Sequence, residues 1–122
     1  MAKIMVVDDD KDATTLFEEV LNMQGHTPVV LNESSKALQI AMEELPDAFI
    51  LDLMMPEPDG FKLCRMLRAE PRFRRTPIII VTALNDTDSK IVAIGAGAND
   101  YLTKPFHINE LDASIRNLLD EE

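Results

Sequence analysis

Short apolar runs alternate along this chain with segments whose apolar residues recur at helical spacing. The runs are Ile4–Val7, Val29–Leu31, Ala48–Leu51, Ile78–Val81 and Tyr101–Thr103. They are rich in β-branched residues and almost continuously apolar, which predicts parallel strands covered on both faces. Between them the period changes. Leu16, Phe17, Val20 and Leu21 mark a first helix, with Gly25 where it should stop. Ser34 or Ser35 is placed to cap a second helix bearing Leu38, Ala41 and Met42, with Pro46 beyond it. Phe61, Cys64 and Leu67 mark a third, closed by Pro71. Asp86 or Thr87 is placed to cap a fourth containing Ile91 and Ile94, and Ile108, Leu111, Ile115 and Leu118 form the stripe of the last.

Five strand–helix units in succession predict a doubly wound α/β domain with a five-stranded parallel sheet. Pro28 lacks the N–H that a ladder needs, so the second strand belongs at a sheet edge. That fits strand order 2-1-3-4-5, a flavodoxin-like (βα)5 arrangement with a topological switch point between strands 1 and 3.

Polar groups follow four of the strands directly: Asp8-Asp9-Asp10, Asp52, Thr82 and Lys104. Open α/β sheets bind ligands outside the carboxyl ends of their strands, so these groups should converge. Singly, an Asp after a strand is a common turn former or helix cap, Thr82 a turn hydroxyl and Lys104 a solvated charge. All four at one sheet end are hard to obtain from capping alone. Clustered carboxylates repel and raise one another's pKa unless a cation neutralises them, and hard oxygen ligands suit Mg²⁺. Asp52, after the central strand, is the carboxylate placed to attack phosphorus, with Mg²⁺, Lys104 and Thr82 neutralising charge.

The chain has 122 residues, room for one domain, and a formal net charge of −10, which disfavours direct contact with nucleic acid or anionic membrane. Its one cysteine, Cys64, excludes an internal disulfide and reads as a small core hydrophobe. No apolar run approaches the roughly 20 residues of a membrane span. The N-terminus runs straight into a strand without a signal peptide, so a cytoplasmic location is expected and the triplets Asn32-Glu33-Ser34 and Asn85-Asp86-Thr87 carry no glycosylation meaning.

Four ordered blocks resemble the receiver domain of bacterial response regulators over residues 3 to 119. They are Ile4-Met5-Val6-Val7-Asp8-Asp9-Asp10, Leu51-Asp52-Leu53-Met54-Met55-Pro56 with Asp59-Gly60, Ile80-Val81-Thr82-Ala83, and Gly97-Ala98-Asn99-Asp100-Tyr101-Leu102-Thr103-Lys104-Pro105-Phe106. The resemblance implies that Asp52 accepts a phosphoryl group from a phosphohistidine on a sensor histidine kinase or histidine phosphotransfer protein. It implies Mg²⁺ held by Asp9, Asp52 and the Met54 carbonyl, with Asp8 acting mostly through water. Lys104 would pair with phosphoryl oxygens and Thr82 hydrogen-bond one of them. Tyr101 would report the position of Thr82 to the face of the fourth helix, fifth strand and fifth helix, which a downstream protein target or output domain reads. A cis Lys104–Pro105 bond is expected. Asp10 has no role in the family and reads as a turn residue or helix cap. Pro58 departs from the family's usual apolar residue and should only stiffen its loop. Such a domain catalyses its own phosphotransfer and is otherwise not an enzyme.

Family positions that influence the lifetime of the acyl phosphate hold Met54 and Leu84, both apolar, so slow self-dephosphorylation is expected. Gly97 reads as a C-cap, and Gly95 should leave the fourth helix marginal and mobile. Val92, Gly95 and Ser114 replace charged residues of family members that dimerise through salt bridges, so that assembly is not expected. Phe61-Lys62-Leu63-Cys64-Arg65 resembles receivers of cyclic-dinucleotide synthases and hybrid kinases, which favours a relation to multidomain regulators over a stand-alone receiver. An aspartyl-phosphate hydrolase would need an Asp at Met54, an FMN binder a Ser/Thr/Gly-rich loop after strand 1, and a degenerate receiver an incomplete site.

Overall fold

The computed structural model describes residues 1–119. Its element order is β1 (Lys3–Val7), α1 (Lys11–Met23), β2 (Thr27–Leu31), α2 (Ala37–Glu44), β3 (Ala48–Leu51), α3 (Gly60–Ala69), β4 (Ile78–Thr82), α4 (Thr87–Gly95), β5 (Asp100–Thr103) and α5 (Ile108–Leu119). The strands form one parallel sheet in the order 2-1-3-4-5. Pro28 lies in β2 at the sheet edge, as expected. The acidic end at Asp120, Glu121 and Glu122 falls outside the described residues.

Strand residues alternate between two cores because successive side chains point to opposite faces. Met5, Val7, Phe49, Leu51, Ile78 and Ile80 pack with Ala37, Leu63, Cys64, Leu67 and Ala93 from α2, α3 and α4. Ile4, Val6, Ile50, Ile79 and Val81 pack with Phe17, Val20, Leu21, Leu111 and Ile115 from α1 and α5. Each buried Val, Leu, Ile, Phe or Met side chain among them stabilises the fold by roughly 1.5–3 kcal/mol relative to exposure. Cys64 is buried, and burial pushes its thiol pKa up. It is a core residue.

Several expected helical contacts differ. Leu16, Ile91, Ile94 and Ile108 are exposed, and the inward residue of α4 is Ala93. Ser34 and Ser35 do not cap α2. They sit in a 3₁₀ turn over Ser34–Lys36, where the Ser34 hydroxyl donates instead to the Pro56 carbonyl at 3.0 Å. Caps at Asp10 and Asp86 follow expectation, their side chains accepting from the Asp12 and Ser89 backbone N–H groups, and Asp59 caps α3 by accepting from Lys62 N–H. Gly25 and Gly97 take positive φ after α1 and α4. The Lys104–Pro105 bond is cis, and so is Glu57–Pro58.

Candidate functional site

The sheet itself aims the polar residues. One residue past β1, β3 and β5, the backbone N–H still bonds to the neighbouring strand. Asp8 N donates to Leu31 O at 3.1 Å, Asp52 N to Val7 O at 3.1 Å and Lys104 N to Thr82 O at 2.8 Å. Asp8, Asp52 and Lys104 are thereby fixed at one end of three adjacent strand pairs. Gly60 completes the positioning. A Cβ there would lie 2.2 Å from Asp52 O and 2.6 Å from Leu53 Cα, so only glycine lets α3 start against the acidic loop.

Lys104 Nζ lies between two buried carboxylates, 2.7 Å from Asp8 Oδ2 and 3.1 Å from Asp52 Oδ2. Asp8 is 1% and Asp52 7% exposed. Their other oxygens accept backbone N–H groups, Asp8 Oδ1 from Asp10 at 2.9 Å and Asp52 Oδ1 from Met54 at 3.2 Å. Burial raises the Asp8 pKa and outweighs the hydrogen bond from Lys104. For Lys104, burial favours the neutral amine, but the hydrogen bonds it donates to Asp8 and Asp52 prevail and raise its pKa. The ammonium stays charged while serving two acids.

The structure thus brings together Asp8, Asp52 and Lys104. Thr82 is fully buried at the end of β4, where its hydroxyl lies 3.5 Å from Leu84 N. Tyr101 is half-buried, and its hydroxyl donates to Leu84 O at 2.8 Å, on the loop that follows Thr82. Burial raises its pKa, with Asp86 and Asp52 adding to the effect. Asp9 is exposed beside the cluster, and the Met54 side chain is 55% exposed. Asp10 stands apart as the α1 cap.

The donor set fits a hard cation. Two buried carboxylates share one ammonium, the next residue in the chain, Asp9, carries a third, exposed carboxylate, and every side-chain donor of the three is oxygen. Among the described residues the His, Cys, Asp and Glu side chains form no ready-made cluster of three metal ligands. Mg²⁺ keeps several waters and needs only one or two carboxylates, so the pair suffices.

Asn32 went unrecognised as a site residue. Its side-chain amide donates to Asp8 O at 2.8 Å and to Thr14 Oγ1 at 3.0 Å, clamping the turn that carries the acids. It directly follows β2, so a polar residue immediately after that apolar run, as after the other four, was the available signal. Ser114 on α5 is held inward. It is buried, its hydroxyl on Asp100 Oδ2 at 2.6 Å, and is not a surface position on α5.

Comparison with known proteins places the chain in a family. The family model for the response regulator receiver domain matches residues 4–116, and the chain belongs to that family. The DNA-binding dual master transcriptional regulator RpaA of Synechocystis sp. is 38% identical over 119 residues, 98% of this chain and 49% of that protein. A putative response regulator of Chloroflexus aurantiacus superposes with TM-score 0.93 at 38% identity, covering 98% of both chains. The receiver domain of sensor histidine kinase PA1611 of Pseudomonas aeruginosa has a magnesium ion coordinated in its active-site cleft. It matches with TM-score 0.90 at 30% identity, covering 98% of each chain. This chain spans about half the length of the curated regulators it first matches. Among the described residues no helix is long and apolar enough to cross a membrane. The expectation of no nucleic-acid contact does not extend to longer relatives, one of which is named as DNA-binding.

Proposed function

We propose that this domain, residues 1–122, takes a phosphoryl group onto Asp52 from a phosphohistidine of a sensor kinase or phosphotransfer protein. The observation that carries the reading is Lys104 held between the buried Asp8 and Asp52 carboxylates. Asp52 Oδ forms the bond to phosphorus as the phosphorus–nitrogen bond to the donor imidazole breaks, with the electron pair returning to nitrogen. Lys104 is within 3.1 Å of Asp52 Oδ2, close enough to neutralise the arriving phosphoryl oxygens, and Thr82 offers a hydroxyl at the adjoining strand end. Asp8, Asp9, Asp52 and the Met54 carbonyl would hold Mg²⁺, which supplies charge neutralisation for the transfer. The similarity to a magnesium-bound receiver supports this assignment.

The signal leaves through α4, β5 and α5. The Tyr101 hydroxyl bonded to the Leu84 carbonyl links β5 to the loop after Thr82, so drawing Thr82 toward a phosphoryl oxygen would disturb that bond. A partner protein or an output domain then reads the changed face. In the longer transcriptional relatives, DNA contact would belong to chain outside the matched domain.

Incubating the protein with Mg²⁺ and a small acyl phosphate, followed by intact-mass measurement, tests the reading. One phosphoryl adduct is expected, absent in Asp52→Asn and abolished by a chelator. An adduct retained in Asp52→Asn would overturn the assignment.

A further inference from the structure

The positive charge of this acidic chain is unevenly placed. Residues 65–75 contain Arg65, Arg68, Arg72, Arg74 and Arg75 against the single acid Glu70, within a chain of net charge −10. Elsewhere, Lys3, Lys36, Lys62, Lys104 and Arg116 each pair with a carboxylate. Among the described residues, none of the five arginines does. Arg65, Arg72, Arg74 and Arg75 are exposed. The last two and Arg72 line a shallow depression of about 410 Å³ together with Pro71 and Thr76.

The turn that bears them is rigidly held. Arg68 donates to Phe73 O and Thr76 O at 2.7 Å, to Gly97 O at 3.0 Å and to Asn99 Oδ1 at 2.7 Å. All its partners are neutral carbonyl oxygens, so its charge adds to the patch uncancelled. Phe73 beneath the turn is buried in the core and Pro71 opens a 3₁₀ turn, so the shape is set before anything binds. Among the described residues at this end of the sheet, Asp47 accepts from the Lys3 N–H and Asp100 from the Ser114 hydroxyl.

We infer that the α3–β4 turn is a docking surface for an acidic segment of a protein partner, with Arg72, Arg74 and Arg75 as its recognition groups. Guanidinium forks match carboxylates bidentately. The lining offers no apolar floor for a drug-sized molecule. Phe73, the aromatic of the turn, is buried, so no base can stack there. A long duplex would also meet the acidic remainder of the domain, whereas charges beyond about 8–10 Å are screened from a short acidic segment. The turn precedes β4 and so lies at the opposite sheet end from Asp52, leaving the acidic site free while a partner is docked.

Fluorescence anisotropy with a labelled oligoglutamate peptide at low ionic strength tests the inference, with a short labelled DNA duplex as the competing probe. The intact protein should bind the peptide, and raised salt should weaken it. The variant R72Q/R74Q/R75Q should bind about tenfold more weakly or worse. A charge-matched variant, K11Q/K36Q/K90Q, should stay within about twofold. Circular dichroism would verify that both fold. Absence of peptide binding, equal loss in both variants, or a duplex bound as tightly as the peptide would each overturn the inference.

Discussion

Helices α3 and α4 begin alike and pack differently. Each follows a site-bearing strand, and each is capped by an aspartate, Asp59 or Asp86. Beyond the cap they diverge. α3 buries Gly60, Leu63, Cys64 and Leu67, whereas α4 buries Ala93 and exposes Ile91, Val92 and Ile94. Their glycines differ in the same sense. A Cβ on Gly60 meets the backbone of Asp52 and Leu53, and a Cβ on Gly95 meets nothing within 4 Å. One helix is clamped against the loop that carries Asp52. The other buries Ala93 alone against the sheet, so its local stability should be the lower of the two. A switch needs both: a fixed acceptor and an element that can move.

Gly60→Ala attacks the clamped side and should have the largest effect. A methyl at 2.2 Å from a backbone oxygen requires α3 or the Asp52 loop to shift. A loss of about 3 kcal/mol or more in unfolding free energy is expected, as for other severe steric insertions. Urea denaturation measures it, and the acyl-phosphate adduct at Asp52 should fall with it. A variant of parental stability would show that the helix start is not clamped.

That steric demand was visible in the sequence only as the dipeptide Asp59-Gly60. The strands and their polar ends were legible because a parallel sheet needs continuous apolar runs, and its fold fixes where they end. The orientation of short helices was not. Ile91, Ile94, Leu16 and Ile108 are apolar yet exposed, since apolar residues on more than one side of a helix leave its inward face undefined. Contacts between distant segments carry no local pattern either. Ser34 on Pro56 O, Arg68 on four carbonyl oxygens, and Ser114 on Asp100 exist only once the chain has folded. The ion pair of Lys104 with Asp8 at 2.7 Å likewise joins residues far apart in the chain, which spacing alone does not reveal.

Gly97→Ala probes the joint between the two regions. With φ at +116°, an L residue there is strained, and its Cβ would lie 2.6 Å from Arg68 Cγ. A cost of about 1–3 kcal/mol is expected in thermal or urea unfolding. A variant as stable as the parent would mean that Arg68 and the α4–β5 turn relax freely. Gly95→Ala should do the reverse. Its site is open and its φ lies outside the left-handed range, so alanine should stabilise α4 by up to about 1 kcal/mol. Hydrogen exchange in α4 should slow while that in β1 and β3 stays unchanged. If α4 in the parent is already as protected as those strands, it is not the loose partner in this comparison.

The smallest effect separates the loops before the two helices. Met54 precedes α3 and Leu84 precedes α4, and both apolar positions were expected to slow the loss of phosphate from Asp52, which shielding from water would explain. Their surroundings differ, for Met54 is exposed beside the acceptor whereas Leu84 packs on the core shared by α2, α3 and α4. Shielding should therefore rest mainly with Met54. In Met54→Asn, an amide can orient an attacking water, and the phosphoprotein should lose its phosphate a few-fold faster. That corresponds to about 1 kcal/mol or less in barrier, since tenfold is about 1.4 kcal/mol. Leu84→Ala should change the lifetime less and instead lower stability, because it removes a core contact next to the oxygen that receives the Tyr101 hydroxyl. Phosphate loss followed by intact mass, beside urea melts of both variants, reads the two outcomes separately. A parental lifetime in the Met54→Asn, Leu84→Ala double variant would remove shielding as the reason for any long-lived signal.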